Sequence, residues 1–185
     1  LIPKYGGFRK LKSFRAEQLV RDVTVAFCEA HTDARSRLHD QMVKSALTAM
    51  QRIADGSLAG QTSKEKELKL TTRAHASLEE LRLAYQSCLQ KSGLSLWDPD
   101  DPRRVDLGAR RPRVLDDVVQ WAQEVGATAT PPEVMANGAL AMIASTALLL
   151  DRQLKAQSIA IRREKSAAKR FTEQVEPLSP DEWES

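Results

Sequence analysis

The chain has 185 residues, of which 5% are aromatic and 8 are glycine, and Ala, Leu, Lys, Arg, Glu and Gln dominate it. These residue types lose little side-chain freedom in a helix, and alternating β-branched or aromatic runs are absent, which argues against a sheet protein. Two cysteines give no disulfide framework, and the first residues are basic without an apolar stretch behind them. The sequence therefore predicts a cytoplasmic protein.

The charge is unevenly distributed along the chain. The net charge is +3, but residues 173–185 contain five acidic residues and no Lys or Arg. The preceding 172 residues hold 28 basic against 20 acidic side chains, a net charge of +8. We therefore expect a basic body, which begins with a basic arm at residues 1–12, and an acidic, disordered tail at residues 172–185.

The first three predicted helices follow the arm. Ser13 suits the N-cap of a first helix that ends near Thr32, and a second helix ends at Gly56. Thr62 and Glu65 have the spacing of a capping box, which begins a third helix that ends before residue 93. Apolar residues recur at steps of three and four in all three segments, as in helices that bury one face.

In the second half of the chain, the sequence predicts a loop at residues 94–113, a short helix at 114–125 and a long last helix. Pro131 and Pro132 suit the first turn of that last helix, which we expect to run to Phe171. The predicted fold is an all-α, antiparallel up-and-down four-helix bundle over residues 13–171, with the short helix as an extra element between the third and fourth long helices.

The last helix contains no charged residue between positions 134 and 150. Such a run is just long enough to cross a membrane, but it is rich in Gly, Ala, Ser and Thr, which membrane insertion favours little. A helix that is apolar on every side must otherwise be covered on every side. We therefore predict no membrane span but a homo-oligomer, with an interface at Leu70, Leu83, Ala139, Met142, Ile143 and Leu149.

Several motifs resemble a known family. In the first half they are Asp40-Gln41-Met42-Val43, Ile53-Ala54-Asp55-Gly56-Ser57, the run at 62–71 and Ala76-Ser77-Leu78-Glu79-Glu80-Leu81. In the second half they are Leu96-Trp97, Asp100-Asp101-Pro102-Arg103, Pro131-Pro132-Glu133-Val134, Ala136-Asn137 and residues 149–154. Over residues 5–157 the chain resembles the bacterial four-helix-bundle proteins encoded in intervening sequences of large-subunit ribosomal RNA genes. The part at about 93–171 is similar to the branch with a C-terminal suffix.

This resemblance implies a bundle that assembles into a ring-like homopentamer and has no established enzymatic activity. Accessory proteins of diversity-generating retroelements share the bundle and are thought to bind nucleic acid and a reverse transcriptase. The resemblance therefore implies RNA, DNA or a nucleic-acid-processing protein as a partner.

The candidate chemical groups do not form a recognisable catalytic or metal site. Cys28 and His31 have a spacing that could place two metal ligands on one face, but no second ligand pair follows. His75 and Glu79 are spaced as an ordinary surface pair, and His39 beside Asp40 has no nucleophile placed to act with it. We therefore predict no enzyme activity, no metal and no cofactor.

Basic residues form three clusters in the sequence. The first surrounds the arm, the second includes Arg103, Arg104, Arg110, Arg111 and Arg113, and the third lies in the last helix. An up-and-down bundle would bring the first and third clusters to the same end, where they could bind a phosphate backbone. The predicted nucleic-acid-binding residues are Arg9, Lys10, Lys12, Arg15, Arg152, Lys155, Arg162 and Arg163. The alternative is a protein-interaction scaffold whose acidic tail recruits a partner.

Overall fold

The computed structural model describes residues 7–174, and this part of the chain is helical without strands, which confirms the all-α class. A 3-10 turn at Gly7–Lys10 precedes six helices. They are α1 (Lys12–His31), α2 (Arg37–Ala59), α3 (Lys64–Lys91), α4 (Pro102–Arg110), α5 (Leu115–Val125) and α6 (Pro131–Gln174). Helix α6 includes the first three residues of the predicted tail, and the rest of that tail lies outside the described residues.

Serine hydroxyls cap the starts of two long helices. Ser36 accepts a hydrogen bond from the backbone N–H of His39 (3.1 Å) at α2, and Ser63 accepts one from Lys66 (3.2 Å) at α3. The predicted cap Thr62 was therefore wrong by one residue, and its hydroxyl donates instead to the carbonyl of Ala59. The predicted cap Ser13 lies inside α1, which begins at Lys12, and its hydroxyl donates to Gln153 of α6 instead of capping the helix.

Gly56 does not end α2, which continues to Ala59. Its role is close packing, since a Cβ at this position would lie 3.3 Å from the Cβ of Leu70 on α3. The approach of a neighbouring helix, and not a left-handed backbone, therefore favours glycine here.

The predicted loop at 94–113 contains a helix that the sequence analysis missed. Asp101 accepts a hydrogen bond from the backbone N–H of Arg103 (2.9 Å), and Pro102 occupies the first turn of α4. Both are ordinary helix-start features, but the neighbouring prolines and acidic residues resemble a loop. Two short helices, not one, therefore separate α3 from α6.

The four long helices contact one another in a closed order. Helices α1 and α3 each pack against both α2 and α6. Between α3 and α6, Thr71 accepts a hydrogen bond from Gln157 (3.0 Å) and His75 pairs with Asp151 (3.1 Å), so residue numbers rise along one helix and fall along the other. Inside, the Tyr85 hydroxyl donates to the Thr24 hydroxyl (3.0 Å) within a core of aliphatic side chains.

The short helices cover the outer side of α6 at its start. Trp121 of α5 and Leu107 of α4 are almost completely buried, and a Cβ at Gly138 of α6 would lie 2.7 Å from the Trp121 ring. Contacts of α6 with α4 and α5 therefore bury the first part of the uncharged run inside the chain. The short helices therefore supply part of the cover that the sequence analysis expected from another subunit.

Among the described residues, α6 is the one helix that is long and apolar enough to cross a membrane. Its most apolar window has a mean hydropathy of 1.5, and 56% of that window is buried within the fold. The burial agrees with the sequence-based preference for a core helix, because a core helix must also be apolar on the sides that its neighbours cover.

A loop before α4 is fastened to α6 by side-chain hydrogen bonds. Asn137 accepts from the backbone N–H of Trp97 (2.9 Å) and donates to the carbonyl of Ser95 (2.9 Å). Glu133 accepts from the indole N–H of Trp97 (2.9 Å) and from the backbone N–H of Ser95 (3.2 Å). These contacts give several residues of the second-half motifs a structural role, since they hold the short helices against α6.

One acidic side chain lies unpartnered in the core. Glu17 of α1 is 0% exposed, and within the described residues neither of its carboxylate oxygens has a hydrogen-bond partner. Burial alone raises the pKa of Glu17 to about 8, because a charged carboxylate is poorly solvated in an apolar environment. The folded protein therefore holds a neutral acid where the unfolded chain would ionise.

The substitution Gly138→Ala is expected to destabilise the fold by about 1–3 kcal/mol, because the added methyl group meets the Trp121 ring in a packed core. Gly108→Ala is a matched control in α4, where nothing lies within 4 Å of the new Cβ. The control should be neutral or stabilising by about 0.5–1 kcal/mol. Chemical denaturation measures both, and equal stabilities would contradict the close contact.

Glu17 predicts a pH dependence of stability. The raised pKa means that the folded state retains a proton which the unfolded state loses above about pH 4.5. The contribution of Glu17 to the free energy of unfolding is complete below the pKa that this carboxyl has in the unfolded chain. It then decreases by about 1.4 kcal/mol per pH unit until the pH exceeds the pKa in the folded protein.

Glu17→Gln should remove this decrease. Denaturation of both proteins at several pH values between 5 and 8 isolates the effect, because their other titrating groups are shared. Parallel pH profiles for the two proteins would show that Glu17 is not held neutral in the fold.

Candidate nucleic-acid interface

The second half of α6 has one outward face that is rich in cations. Residues at steps of three and four share a face of a helix, and by this spacing Arg152, Lys155, Arg162 and Arg163 lie on one side, with all four side chains exposed. The opposite side carries the buried residues Leu150, Gln157 and Ile161. We call this side, residues 152–170, the outer face of α6.

The four predicted cations on the outer face have no ion-pair partner among residues 7–174. Other basic residues nearby are paired, since Lys64 contacts Glu164 and Lys165 lies 3.6 Å from Glu65. The outer face therefore keeps a positive charge that no described acidic side chain neutralises, which is what an anionic backbone requires.

The arm contributes a second group of exposed cations. Arg9, Lys10, Lys12 and Arg15 are all exposed, and within the described chain none forms an ion pair. The Nε of Arg15 donates to the carbonyl of Arg9 (3.0 Å), and the Arg9 guanidinium lies 5.8 Å from the ring of Phe8. These contacts hold the 3-10 turn against the start of α1.

A partly buried hydrogen bond brings the two groups together. The Ser13 hydroxyl donates to Oε1 of Gln153 (2.6 Å), so the first turn of α1 lies beside the part of α6 that carries Arg152 and Lys155. Arg162 and Arg163 lie nine and ten residues beyond Gln153, or about 14–15 Å farther along the helix axis. The cations thus follow the length of α6 and are not gathered at one point.

The second basic cluster is largely committed to internal contacts. The Arg103 guanidinium pairs with Asp101 (2.7 Å) and lies 3.4 Å from the centre of the Trp97 ring. Arg104 donates to the carbonyl of Trp97 (2.9 Å), and Arg110 pairs with Asp106 and Glu124. These three arginines therefore fasten the short helices, while Arg111 and Arg113 remain exposed.

Sequence reasoning did not select three other residues of the outer face as candidate site residues. Ile159, Ser166 and Arg170 line a shallow groove of about 480 Å³ together with Arg162 and Arg163. Ile159 and Ser166 lie three or four residues from Arg162 and Arg163, and Arg170 lies eight and seven residues beyond them. These helical spacings were the available signal. Charge alone, which guided the choice, could not select an isoleucine or a serine.

The predicted oligomer residues are distributed between the core and the surface. Ala139, Met142 and Ile143 are buried by the chain itself, with exposed fractions of 0%, 7% and 0%. Three residues of the core therefore have almost no surface left for a partner. The remaining predicted residues are half-buried or exposed, namely Leu70, Leu149 and Leu83.

The candidate reactive groups are placed separately. Cys28 is fully buried, and burial raises the pKa of its thiol to about 11, which disfavours the thiolate that a metal or a nucleophilic reaction needs. His75 pairs with Asp151 and not with Glu79, which instead pairs with Arg82. His39 Nδ1 lies 2.8 Å from the Thr32 hydroxyl. The described residues contain no group of three or more His, Cys, Asp or Glu side chains that could hold a metal.

Comparisons with known proteins identify no relative. No family model matches the chain, and neither the curated proteins nor the solved structures contain a match.

Proposed function

We propose that this chain is a non-catalytic, homo-oligomeric protein that binds the phosphate backbone of RNA or DNA. The observation that carries the proposal is the row of exposed cations on the outer face of α6, none of which is paired within the described residues. A backbone contact needs such unneutralised charge, but it does not need base-stacking aromatic side chains.

The proposed scaffold is an antiparallel four-helix bundle of α1, α2, α3 and α6, to which α4 and α5 are added. The closed order of helix contacts and the opposed residue order of α3 and α6 support this arrangement. The motifs described above support a relationship to the intervening-sequence proteins, and they suggest a pentameric ring. Two cysteines without a disulfide framework support a cytoplasmic location. A ring would repeat the outer face of α6 in every subunit and so increase the local positive charge.

A patch of small and apolar side chains on α6 is available for self-association. Beyond the part covered by α4 and α5, Ala144 and Ser145 are exposed, and Leu148 is 58% exposed. Helical spacing places these three residues on the same side as Arg152 and Lys155. We propose that a neighbouring subunit packs on this apolar part, while the cations farther along α6 remain accessible.

Binding is expected to depend steeply on salt. Each phosphate contact contributes about 0.7–0.9 to the slope of log K against log salt. The variant R152Q/K155Q/R162Q/R163Q should bind a labelled 20-nucleotide RNA or DNA at least about tenfold more weakly at low salt, with a shallower slope. Fluorescence anisotropy at two or more salt concentrations measures both quantities.

A charge-matched control tests whether position matters. K44Q/K66Q/K69Q/R73Q removes four exposed cations from α2 and α3 and should change the affinity much less. An equal loss in both variants would attribute binding to net charge alone. Absence of binding by the unaltered protein at low salt would overturn the proposal and favour the protein-interaction scaffold.

The substitution Leu148→Glu should reduce the molar mass measured by light scattering, because a charged side chain would replace an exposed leucine in the proposed subunit contact. Val105→Glu is a matched control, since Val105 on α4 is 55% exposed and lies outside that surface. A monomeric unaltered protein at micromolar concentration would refute self-association. An oligomer that survives Leu148→Glu would place the contact elsewhere.

A further inference from the structure

We propose that residues 175–185 of the chain dock on the outer face of α6 and compete there with nucleic acid. The competition rests on the proposed function, whereas the docking contact does not. The occupied surface would be the groove lined by Ile159, Arg162, Arg163, Ser166 and Arg170.

The groove combines three cations with one apolar side chain. Arg162, Arg163 and Arg170 are exposed and form no ion pair within residues 7–174, whereas Lys169 on the adjoining side of α6 pairs with Glu173 (3.7 Å). Ile159 is half-buried at the same surface. A suitable occupant therefore carries several negative charges close to one large apolar side chain.

Residues 175–185 have that composition. They contain Glu176, Asp181, Glu182 and Glu184, with no Lys or Arg, and the last three acids surround Trp183. Acidic residues thus surround Trp183 in the terminal segment, whereas arginines surround Ile159 in the groove. Charge complementarity of this kind favours association at low ionic strength.

The segment is long enough to reach the groove. Ile159 lies fifteen residues before the end of α6 at Gln174, or about 22 Å back along the helix. The nine residues from 175 to 183 can extend to about 30 Å. Pro177 disfavours continuation of α6, and a chain that leaves the helix there can turn back toward the arginines.

The length of the terminal segment also limits how many of the nucleic-acid-binding cations it can cover. Arg152 lies 22 residues before Gln174, or about 33 Å back along α6, which is close to the full extension of the whole segment. The docked segment would therefore cover the far half of the outer face and leave Arg152, Lys155 and the arm accessible. Nucleic-acid binding should be weakened but not abolished.

Because residues 175–185 are covalently attached to α6, a weak contact is sufficient for them to occupy the groove. A short flexible connection gives an effective concentration on the order of millimolar. A docking contact with an intrinsic dissociation constant of about 0.1 mM would then be mostly occupied. Complete exclusion of nucleic acid would weaken its binding about tenfold, and the partial coverage described above gives a smaller, several-fold effect.

The binding experiment uses full-length protein with a neutralised segment, E176Q/D181N/E182Q/E184Q. This variant should bind the labelled oligonucleotide several-fold more tightly than the unaltered protein at low salt, and the difference should shrink at high salt. The control E29Q/D55N/E80Q/D100N removes the same charge from exposed acids elsewhere and should change affinity far less. Equal gains in both variants would overturn the competition.

A second measurement detects the contact without nucleic acid. Cys28 and Cys88 are buried, so the thiol introduced by Ser185→Cys can be labelled selectively with a nitroxide. Paramagnetic broadening of backbone amide signals should concentrate at residues 159–170. This localised broadening should be lost when the label is placed in the variant E176Q/D181N/E182Q/E184Q or in the variant R162Q/R163Q/R170Q.

The two measurements separate the two proposals. Absence of localised broadening would overturn the docking contact, even if the protein binds nucleic acid. Localised broadening, with no nucleic-acid binding by any variant, would overturn the proposed function and leave the docking contact standing. Localised broadening together with the specific gain in affinity would support both.

Discussion

The close contact between α6 and the pair α4–α5 is the constraint on which the remaining surface depends. Gly138 lets the Trp121 ring approach the backbone of α6, and Trp97 is held beside it by Asn137 and Glu133. Because these contacts bury the start of α6 on its outer side, a helix that is apolar all round is largely accommodated within one chain. What remains exposed is a short apolar part followed by a long basic part.

Basic side chains have two different roles in the short helices and on the outer face of α6. Arginines of the short helices are paired with Asp101, Asp106 and Glu124, so their charge is neutralised within the covering layer. The cations of the outer face have no such partner among the described residues. Surface ion pairs contribute little to stability, but they decide how much positive charge is available to an anionic partner. The proposed binding surface is therefore defined by the lack of internal pairing as much as by its basic composition.

A single long helix would thus serve as a core element, a subunit contact and an anion-binding surface. These roles are compatible because they occupy successive parts of α6 and not the same turns. The start of α6 is covered by the chain itself, and the region of Leu148 is available to another copy. The part beyond Arg152 exposes cations to solvent. The acidic terminal segment follows directly in the sequence, so the proposed competing anion is tethered close to that charge. Nucleic-acid binding and its proposed regulation would therefore depend on one continuous element.

Local patterns in the sequence were sufficient for the all-α class and for the approximate position of every long helix. Apolar residues at steps of three and four and prolines at 131 and 132 act within a few residues, so they can be read without knowing the fold. The capping residues chosen in the same way, Ser13 and Thr62, were wrong. The basic residues of the arm and of α6 were also identifiable from composition. Tertiary structure decided which cations are paired, because Arg110 reaches Glu124 in a different helix. It also decided that α4 and α5 cover the first part of the uncharged run, that Gly56 is a packing residue and that Glu17 is buried without a partner among residues 7–174. Each of these depends on which distant side chain comes close in space, and the spacing of residues along the chain does not contain that information.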